Sequence, residues 1–392
     1  MKRNHFAAWI SIAIAATVPG ALAQELVLAN PIDVDRQQEI IEIPMGQVLQ
    51  HLHISSAQAA SIVAEDKATG RRIATQLGSS AEHEGAGRLL LLVQLPAHGQ
   101  ERIGFRIDPK AAQQRAQVFG RAAPERLDDF AWENEQVAHR IYGPALQATG
   151  EVSSGIDVWS KRVPNFVIDN FYKRDAEGDR THNPDLTYHK DNGQGLDSYD
   201  VGPSRGCGGT AVFAGGKLIV SKNYTGIHIL ANGPIRISFE VMYAPWDANG
   251  IEVTEIKRIT LDAGTHMNKI ESTFTFGGAP TLDLAAAIAV HEGARAEFPL
   301  AGNIASVWDT PQDPSAGRIA TGLMAASGEH ARTVEIAGHA VMIFTRKSGD
   351  PFIYFAGSGW SKADMPTAAD WNNYLTLQLK MLEKPIETHW SR

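Results

Sequence analysis

The densest chemistry in this chain lies in residues 185–209, DLTYHKDNGQGLDSYDVGPSRGCGG. Tyr188, His189, Lys190, Tyr199 and Arg205 share it with Asp185, Asp191, Asp197 and Asp200. The glycines among them give backbone freedom, so these groups hold position only if a rigid scaffold holds the segment. His189 has Asp191 two residues on. A histidine near a carboxylate suits general acid or base work near neutral pH.

Three further clusters carry polar groups at strand-like spacing. If 130–142 is one strand, Trp132, Asn134, Gln136, Ala138, Arg140 and Tyr142 share a face. Such a face is costly to bury without partners and well suited to grip hydroxyls and a carboxylate. In 155–162, Asp157 and Lys161 bracket Trp159, and an indole face packs well on sugar C–H surfaces. Glu240, Tyr243 and Trp246 form the last cluster, with His291 ending an apolar run and Trp360 following a Gly-x-Gly turn. Each of these residues also has an ordinary structural reading, as core or as solvated surface.

Several sequence motifs do not hold. Gly202-Pro203-Ser204-Arg205-Gly206 matches a nucleophile elbow, but a proline precedes the serine and no helix pattern follows. Gly206-x-Gly208 lacks the βαβ context of a dinucleotide loop. No cofactor motif and no metal-binding motif occurs. Asp191, Asn192 and Asp197 offer oxygen ligands to a calcium ion, at a spacing that fits no established loop. The lone cysteine, Cys207, rules out an intrachain disulfide and reads as a small buried residue. The formal charge of −8 and the lack of any basic block argue against nucleic acid as a partner.

The N-terminus reads as a secretory leader. Lys2 and Arg3 precede an apolar run over 6–18, then Pro19-Gly20 and Ala21-Leu22-Ala23, which predicts cleavage before Gln24. The apolar run is shorter than the ~20 residues of a membrane span. A soluble, periplasmic or secreted protein without a membrane anchor is expected.

The elements that must position these groups are mostly strands. Glu39–Ile43 alternates, 88–95 is almost continuously apolar, and 102–108 alternates again. Residues 24–108 are therefore expected to form a small β-sandwich, and 109–123 a linker or short connecting helix. Strands are expected at 130–142, 217–223, 226–230, 235–243, 252–262, 267–276, 282–291, 339–345 and 352–356. In 235–243, Ile235, Ile237, Phe239 and Val241 share one face, and the other is polar enough to line a cleft. The spacing predicts an all-β protein in which 124–392 is a large antiparallel sandwich. One helix is expected, capped by Thr367 and Asp370 and stopped by Pro385, and 386–390 alternates like a closing strand. Residues 175–185 read as an acidic, solvated loop.

At WENEQVAHRIYGPAL, GIDVWSKR and YHKDNGQGLDSYDVG the chain resembles an uncharacterised family of exported bacterial proteins associated with pectin and uronic-acid breakdown. One departure is visible: that family's first motif more usually reads W-E-N-D-R-I-A and then an aromatic. Here Glu135-Gln136 and His139 stand instead; the shared face described above makes Gln136 a candidate cleft residue, where the loss of an arginine would alter substrate choice. The architecture looks similar to the galactose-mutarotase-like super-sandwich. The resemblance implies a carbohydrate-active protein acting on uronic-acid-containing oligosaccharides. β-Elimination needs a base for the C5 proton, donors for the developing enolate and an acid for the leaving oxygen. His189 or a tyrosine would be the base, Arg140 and Lys161 would face the carboxylate, and Tyr142 or Tyr188 would be the acid. A mutarotase or isomerase needs only an acid–base pair, for instance His189 and Glu240. An oligosaccharide-binding protein without catalysis needs neither. Substrate contacts would come from Asp157, Trp159, Tyr188, Asp191, Arg205, Tyr243, Trp246, His291 and Trp360. One shared cleft is expected to hold His189, Asp191, Arg140, Tyr142 and Lys161.

Overall fold

The computed structural model describes residues 24–78, 87–311 and 313–391. The expected leader lies outside the described residues. The protein is mostly β, with several antiparallel sheets and few helices. Among the described residues no helix is long and apolar enough to cross a membrane.

The N-terminal segment forms one seven-stranded sheet, in the order Arg36–Pro44, Arg88–Leu95, Arg72–Gly78, Ile62–Asp66, Gln100–Ile107, Leu26–Ala29, Glu387–Trp390. Ile41 and Ile43 from one end of that order share a core with Leu26, Leu28 and Ile386 from the other. The sheet therefore curls round a single core and is finished by the last strand of the chain, which the sequence pattern assigns to 124–392. The apolar run Arg88–Leu95 is buried on both faces, as its sequence predicts. Leu89, Leu91 and Val93 point into the N-terminal core, while Leu90 and Leu92 join the main core of the molecule. Helix α1 (Met45–Leu52) covers part of this unit, with Val48 buried. The connector is not helical. Gln114 straps it to the N-terminal sheet through the Thr75 backbone, at 2.8 and 3.0 Å, and Val118–Ala123 already belongs to the next sheet.

The main body packs a five-stranded sheet (Lys217–Ile219, Cys207–Ala214, Leu282–Ala289, His339–Arg346, Arg332–Ile336) on a nine-stranded one. The alternation read from the sequence explains why: Ile237, Phe239, Val241, Ile259, Leu261, Ile270 and Phe274 all point into one core. Helix α4 (Ala368–Glu383) begins at the expected capping box. Thr367 Oγ1 accepts from the Asp370 amide at 3.2 Å, and Asp370 accepts from the Thr367 amide at 3.1 Å. Trp371, Leu375 and Leu379 pack it on the large sheet.

A fourth sheet, five-stranded, positions the candidate site: Gly195–Leu196, Asp157–Lys161, Val137–Ile141, Asp129–Asn134, Val118–Ala123. The expected single strand over 130–142 is a hairpin. Asn134 Oδ1 accepts from the amides of Gln136 and Val137 at 2.8 and 3.0 Å, which breaks the strand at Glu135 and Gln136. Trp132 thus pairs with His139, and Ala131 with Arg140, so Trp132 and Arg140 lie on opposite faces. Phe130, Trp132, Ile141 and Val158 enter the main core. Ala131, Ala138 and Trp159 pack under helix α3 (Ile168–Thr181), after the short α2 (Pro144–Ala148). Residues 175–181 are therefore helix rather than loop, although within 175–185 only Asp175 and Gly178 are buried and the rest is exposed as expected. Ile168, Phe171, Tyr172, Asp175 and Gly178 form the buried stripe of α3.

Candidate active site

The segment 195–206 is laid against 155–161. A Cβ on Gly195 would meet the Ser160 carbonyl oxygen at 2.0 Å, and one on Gly206 the Ile156 carbonyl oxygen at 2.1 Å, so both close approaches require glycine. Arg140 lies at the centre of the contact. Its Nε and Nη2 donate to Asp157 Oδ2 at 2.9 and 2.6 Å, Nη2 to Asp197 Oδ2 at 3.0 Å, and Nη1 to the Tyr188 hydroxyl at 3.0 Å. Asp129 stands 3.6 Å away. The rings of Tyr142, Trp159 and Tyr188 surround the guanidinium at 5.0, 5.4 and 5.7 Å. Arg126 donates to Asp175 at 3.0 Å and also to the Tyr188 hydroxyl.

Three buried carboxyls thus crowd one buried guanidinium. Burial pushes Asp129 up to about 7 and Asp197 well above the usual carboxylate range, with Asp157 raising Asp197 further. Asp157 is raised by burial too, but it accepts from Arg140, from the Trp159 indole at 3.2 Å and from its neighbour's amide. Asp197 Oδ1 is buried without a hydrogen-bond partner, so a proton taken up by the cluster is best placed on Asp197. Burial first, and the negative charge of Asp157 second, push the half-buried Tyr142 phenol well above its ordinary value, so it stays protonated.

His189 lies at the edge of this cluster, its side chain 58% exposed and its ring 4.5 Å from that of Tyr188. Nδ1 is 3.0 Å from the Asp197 carbonyl oxygen. A carbonyl only accepts, so Nδ1 carries the proton, and in the neutral ring the lone pair is on Nε2. That is the tautomer of a base facing outward.

The remaining expected site residues divide sharply. Lys161 does not reach substrate: it is fully buried, 2.6 Å from Glu133 and 2.5 Å from the Asn134 carbonyl, and burial lowers its ammonium. Glu133 in turn accepts from the amides of Val167 and Ile168 at 2.9 Å and so holds the start of α3. Asp157, Trp159 and Tyr188 are buried and support Arg140 rather than presenting a sugar platform. Trp360 is also buried, donating to Ala316 at 2.7 Å beneath the Arg162 guanidinium. Asp191 pairs with Arg162 at the surface and closes its own turn through Gly193. With Asn192 bonded to Gln194 and Asp197 to Arg140, the suggested calcium ligands are engaged elsewhere. Among the described residues no group of three or more His, Cys, Asp or Glu could hold a metal ion. Gln136 lies in the hairpin turn rather than on a cleft-lining strand.

Arg205 and Tyr243 belong to the sandwich interior. Arg205 donates to Ser154 at 3.0 Å, Lys257 to Tyr243 at 3.3 Å, and Glu255 accepts from Thr210 and Ser272. Burial pushes the Arg205 guanidinium down to about 10. Trp246 packs edge-on against Phe274. Glu240 pairs with Arg258 on the outer face of the large sheet, so it forms no pair with His189. That polar face does border a groove, about 440 Å³, together with strand Arg36–Pro44 and α4. Cys207 is buried, its thiol pushed up to about 12 by burial.

His291 is half-buried beside a cavity of about 430 Å³ that Ser198, Tyr199, Asp309 and Thr310 also line. Its Nδ1 bonds Asp309, and its Nε2 lies 2.6 Å from the Asp200 carbonyl. Sequence reasoning misses Asp129, Glu133, Arg126 and Asp309 as members of these clusters. Only long-range pairing brings them in, and no local spacing signals it.

Residues 28–388 match the family model described as a domain of unknown function, DUF4861. An uncharacterized protein of Formosa agariphila is 30% identical over 381 residues, covering 92% of each chain. Two solved structures from Enterococcus faecalis, an alpha-mannosidase and a protein in glycosyl hydrolase family 38, align with 94% of this chain at TM-score 0.48 and 10 and 11% identity. The chain spans about half the length of each (46 and 47%), and no argument rests on so distant a likeness. On the family match and the length of the Formosa alignment, this chain belongs to the DUF4861 family.

Proposed function

We propose that the protein is an exported carbohydrate-active enzyme that acts on uronic-acid-containing oligosaccharides by proton abstraction and β-elimination. The observation that carries this reading is the His189 tautomer. The Asp197 carbonyl fixes the proton on Nδ1 and leaves the lone pair of an exposed ring on Nε2, at the rim of a cluster that holds protons on Asp197 and Tyr142. In the proposed step His189 Nε2 takes the C5 proton. The C4–O bond breaks as the C4–C5 double bond forms, and Tyr142 gives its proton to the leaving oxygen. Asp197, a neutral acid in this reading because of its buried site, touches no substrate and instead holds the His189 ring through its backbone carbonyl. Arg140 acts one layer below, holding Asp197 and the Tyr142 ring in place.

The test is incubation with a panel of polyuronide oligomers, read by ultraviolet absorbance and by mass. An unsaturated uronate end is expected. A change in optical rotation alone would mean an isomerase, and unchanged substrate with measurable binding would mean a binding protein. Either result removes the elimination reading.

A further inference from the structure

Two histidines at adjoining strand ends grip the glycine-rich segment at two points. His291 follows strand Leu282–Ala289, and His339 opens the paired strand His339–Arg346, opposite Ala289. His291 Nε2 meets the Asp200 carbonyl at 2.6 Å, and Nδ1 meets the Asp309 carboxylate. With Asp309 as a carboxylate both partners are acceptors, which puts a proton on each ring nitrogen and makes His291 an imidazolium. His339 is the opposite case. Its Nε2 accepts from the Arg205 backbone amide at 3.1 Å, so it carries no proton, while Nδ1 donates to the Ala337 carbonyl at 2.8 Å. His339 is therefore neutral.

We infer that His291 and His339 are positioning residues of opposite charge state that pin the segment 200–205 at its two ends, and with it Asp197 and His189, only while one ring is charged and the other is not. Losing the His291 proton leaves one ring nitrogen with a lone pair facing an acceptor. Gaining a proton on His339 sets an N–H against the Arg205 N–H. The groups that face the pair are Asp309 from strand Ile304–Asp309, Asp200 and the Tyr199 ring (5.3 Å away) from the segment itself, Glu292 beside His291, and the buried Arg205 behind His339. The Asp309 bond favours charge on His291; burial, with Arg205 and His291 itself, disfavours charge on His339. A raised histidine loses its contribution as pH rises through its folded value. A lowered one begins to cost stability as pH falls below the ordinary histidine value of 6.5. The segment is therefore most firmly held near that value and loosens on both sides.

The meaning of this device rests on the proposed reacting role of His189, but its test does not. Nitrogen-15 spectra of histidine-labelled full-length protein near neutral pH should show His291 doubly protonated and His339 as the neutral Nδ1–H tautomer. Amide exchange over residues 198–206, corrected for intrinsic pH dependence, should show protection with a maximum, falling about tenfold or more on each side. His291→Gln should abolish the alkaline fall and His339→Gln the acid fall, each leaving the other in place. A neutral His291 near neutral pH, or both falls surviving in both variants, overturns the inference. If either variant fails to fold, the wild-type tautomers still decide it. Flat protection in an enzyme that performs the elimination would sink the clamp alone. A maximum in a protein without lyase activity would sink only the reaction.

Discussion

The sheet face under α3 carries two buried ion clusters, and they differ in completeness. At one end Lys161 and Glu133 form a closed set: one cation, one anion, and two helix amides that use the remaining carboxylate capacity. At the other end Arg140 faces three carboxyls, one of which has an oxygen without a hydrogen-bond partner. The first cluster has nothing left to do and reads as structure. The second gathers three carboxyls whose burial raises all of them, and its edge reaches the surface through Tyr142 and His189. Asp157 and Lys161 open and close the same short strand, yet they belong to different clusters.

Substitutions can break or sharpen that contrast. Lys161→Ala strands the fully buried Glu133 carboxylate and should cost about 3–5 kcal/mol of stability, measured by denaturant unfolding. A loss under about 1 kcal/mol, the range of an exposed pair, would mean that this is not the structural member of the two. His189→Ala should lower turnover on polyuronide oligomers by ~10²-fold or more with little change in unfolding midpoint. If it unfolds the protein or keeps full activity, the open cluster is structural as well.

Asp129 sharpens the picture through pH. Its folded-state value of about 7 lies above the ordinary 3.8, so the proton it holds favours folding at low pH, and that contribution is lost as pH rises through about 7. Asp129→Asn should flatten this part of the stability profile and raise the neutral-pH unfolding midpoint relative to the acid one. An unchanged slope would show that Asp129 is ionised in the fold. The smallest effect is expected from Asp191→Asn, which weakens a surface pair with Arg162 and should change stability by no more than about 1 kcal/mol. A larger loss would extend the working cluster to the surface.

Features decided by a local pattern are the ones legible in the sequence. The Thr367–Asp370 box and the doubly buried Arg88–Leu95 strand can be read directly, because capping and burial leave marks within a few residues. Helix α3 escapes such reading because Asp175 and Gly178 occupy its buried stripe and break the apolar period. A Cβ on Gly178 would stand 2.9 Å from the Asn183 carbonyl oxygen, which explains why no larger residue is there. The hairpin at 134–136 escapes it because the turn is made by an asparagine side chain rather than by glycine or proline. The same slip places Gln136 on a cleft face. Trp159 and Trp360 are aromatic beside charge, which suits a sugar platform in a sequence, but their charged neighbours stack on them and close them off. Arg140 and Tyr142 can be picked out as polar groups on a strand. Which carboxyls surround Arg140 depends on three separate segments meeting, which spacing along the chain does not encode.

The pairing of Leu26–Ala29 with Glu387–Trp390 has a consequence for how the chain reaches this state. Leu26 lies opposite Trp390, and Glu25 and Ser391 exchange further bonds at 2.8 and 2.7 Å. Leu26–Ala29 must wait for Glu387–Trp390, about 360 residues later. A ribosome or an export channel delivers the N-terminal segment first, yet its sheet keeps an open edge until the far end arrives. Closing so long a loop is entropically costly and slow. The edge beside Leu26 is therefore the place where a holding chaperone, or a second unfinished chain, would compete with the protein's own final strand.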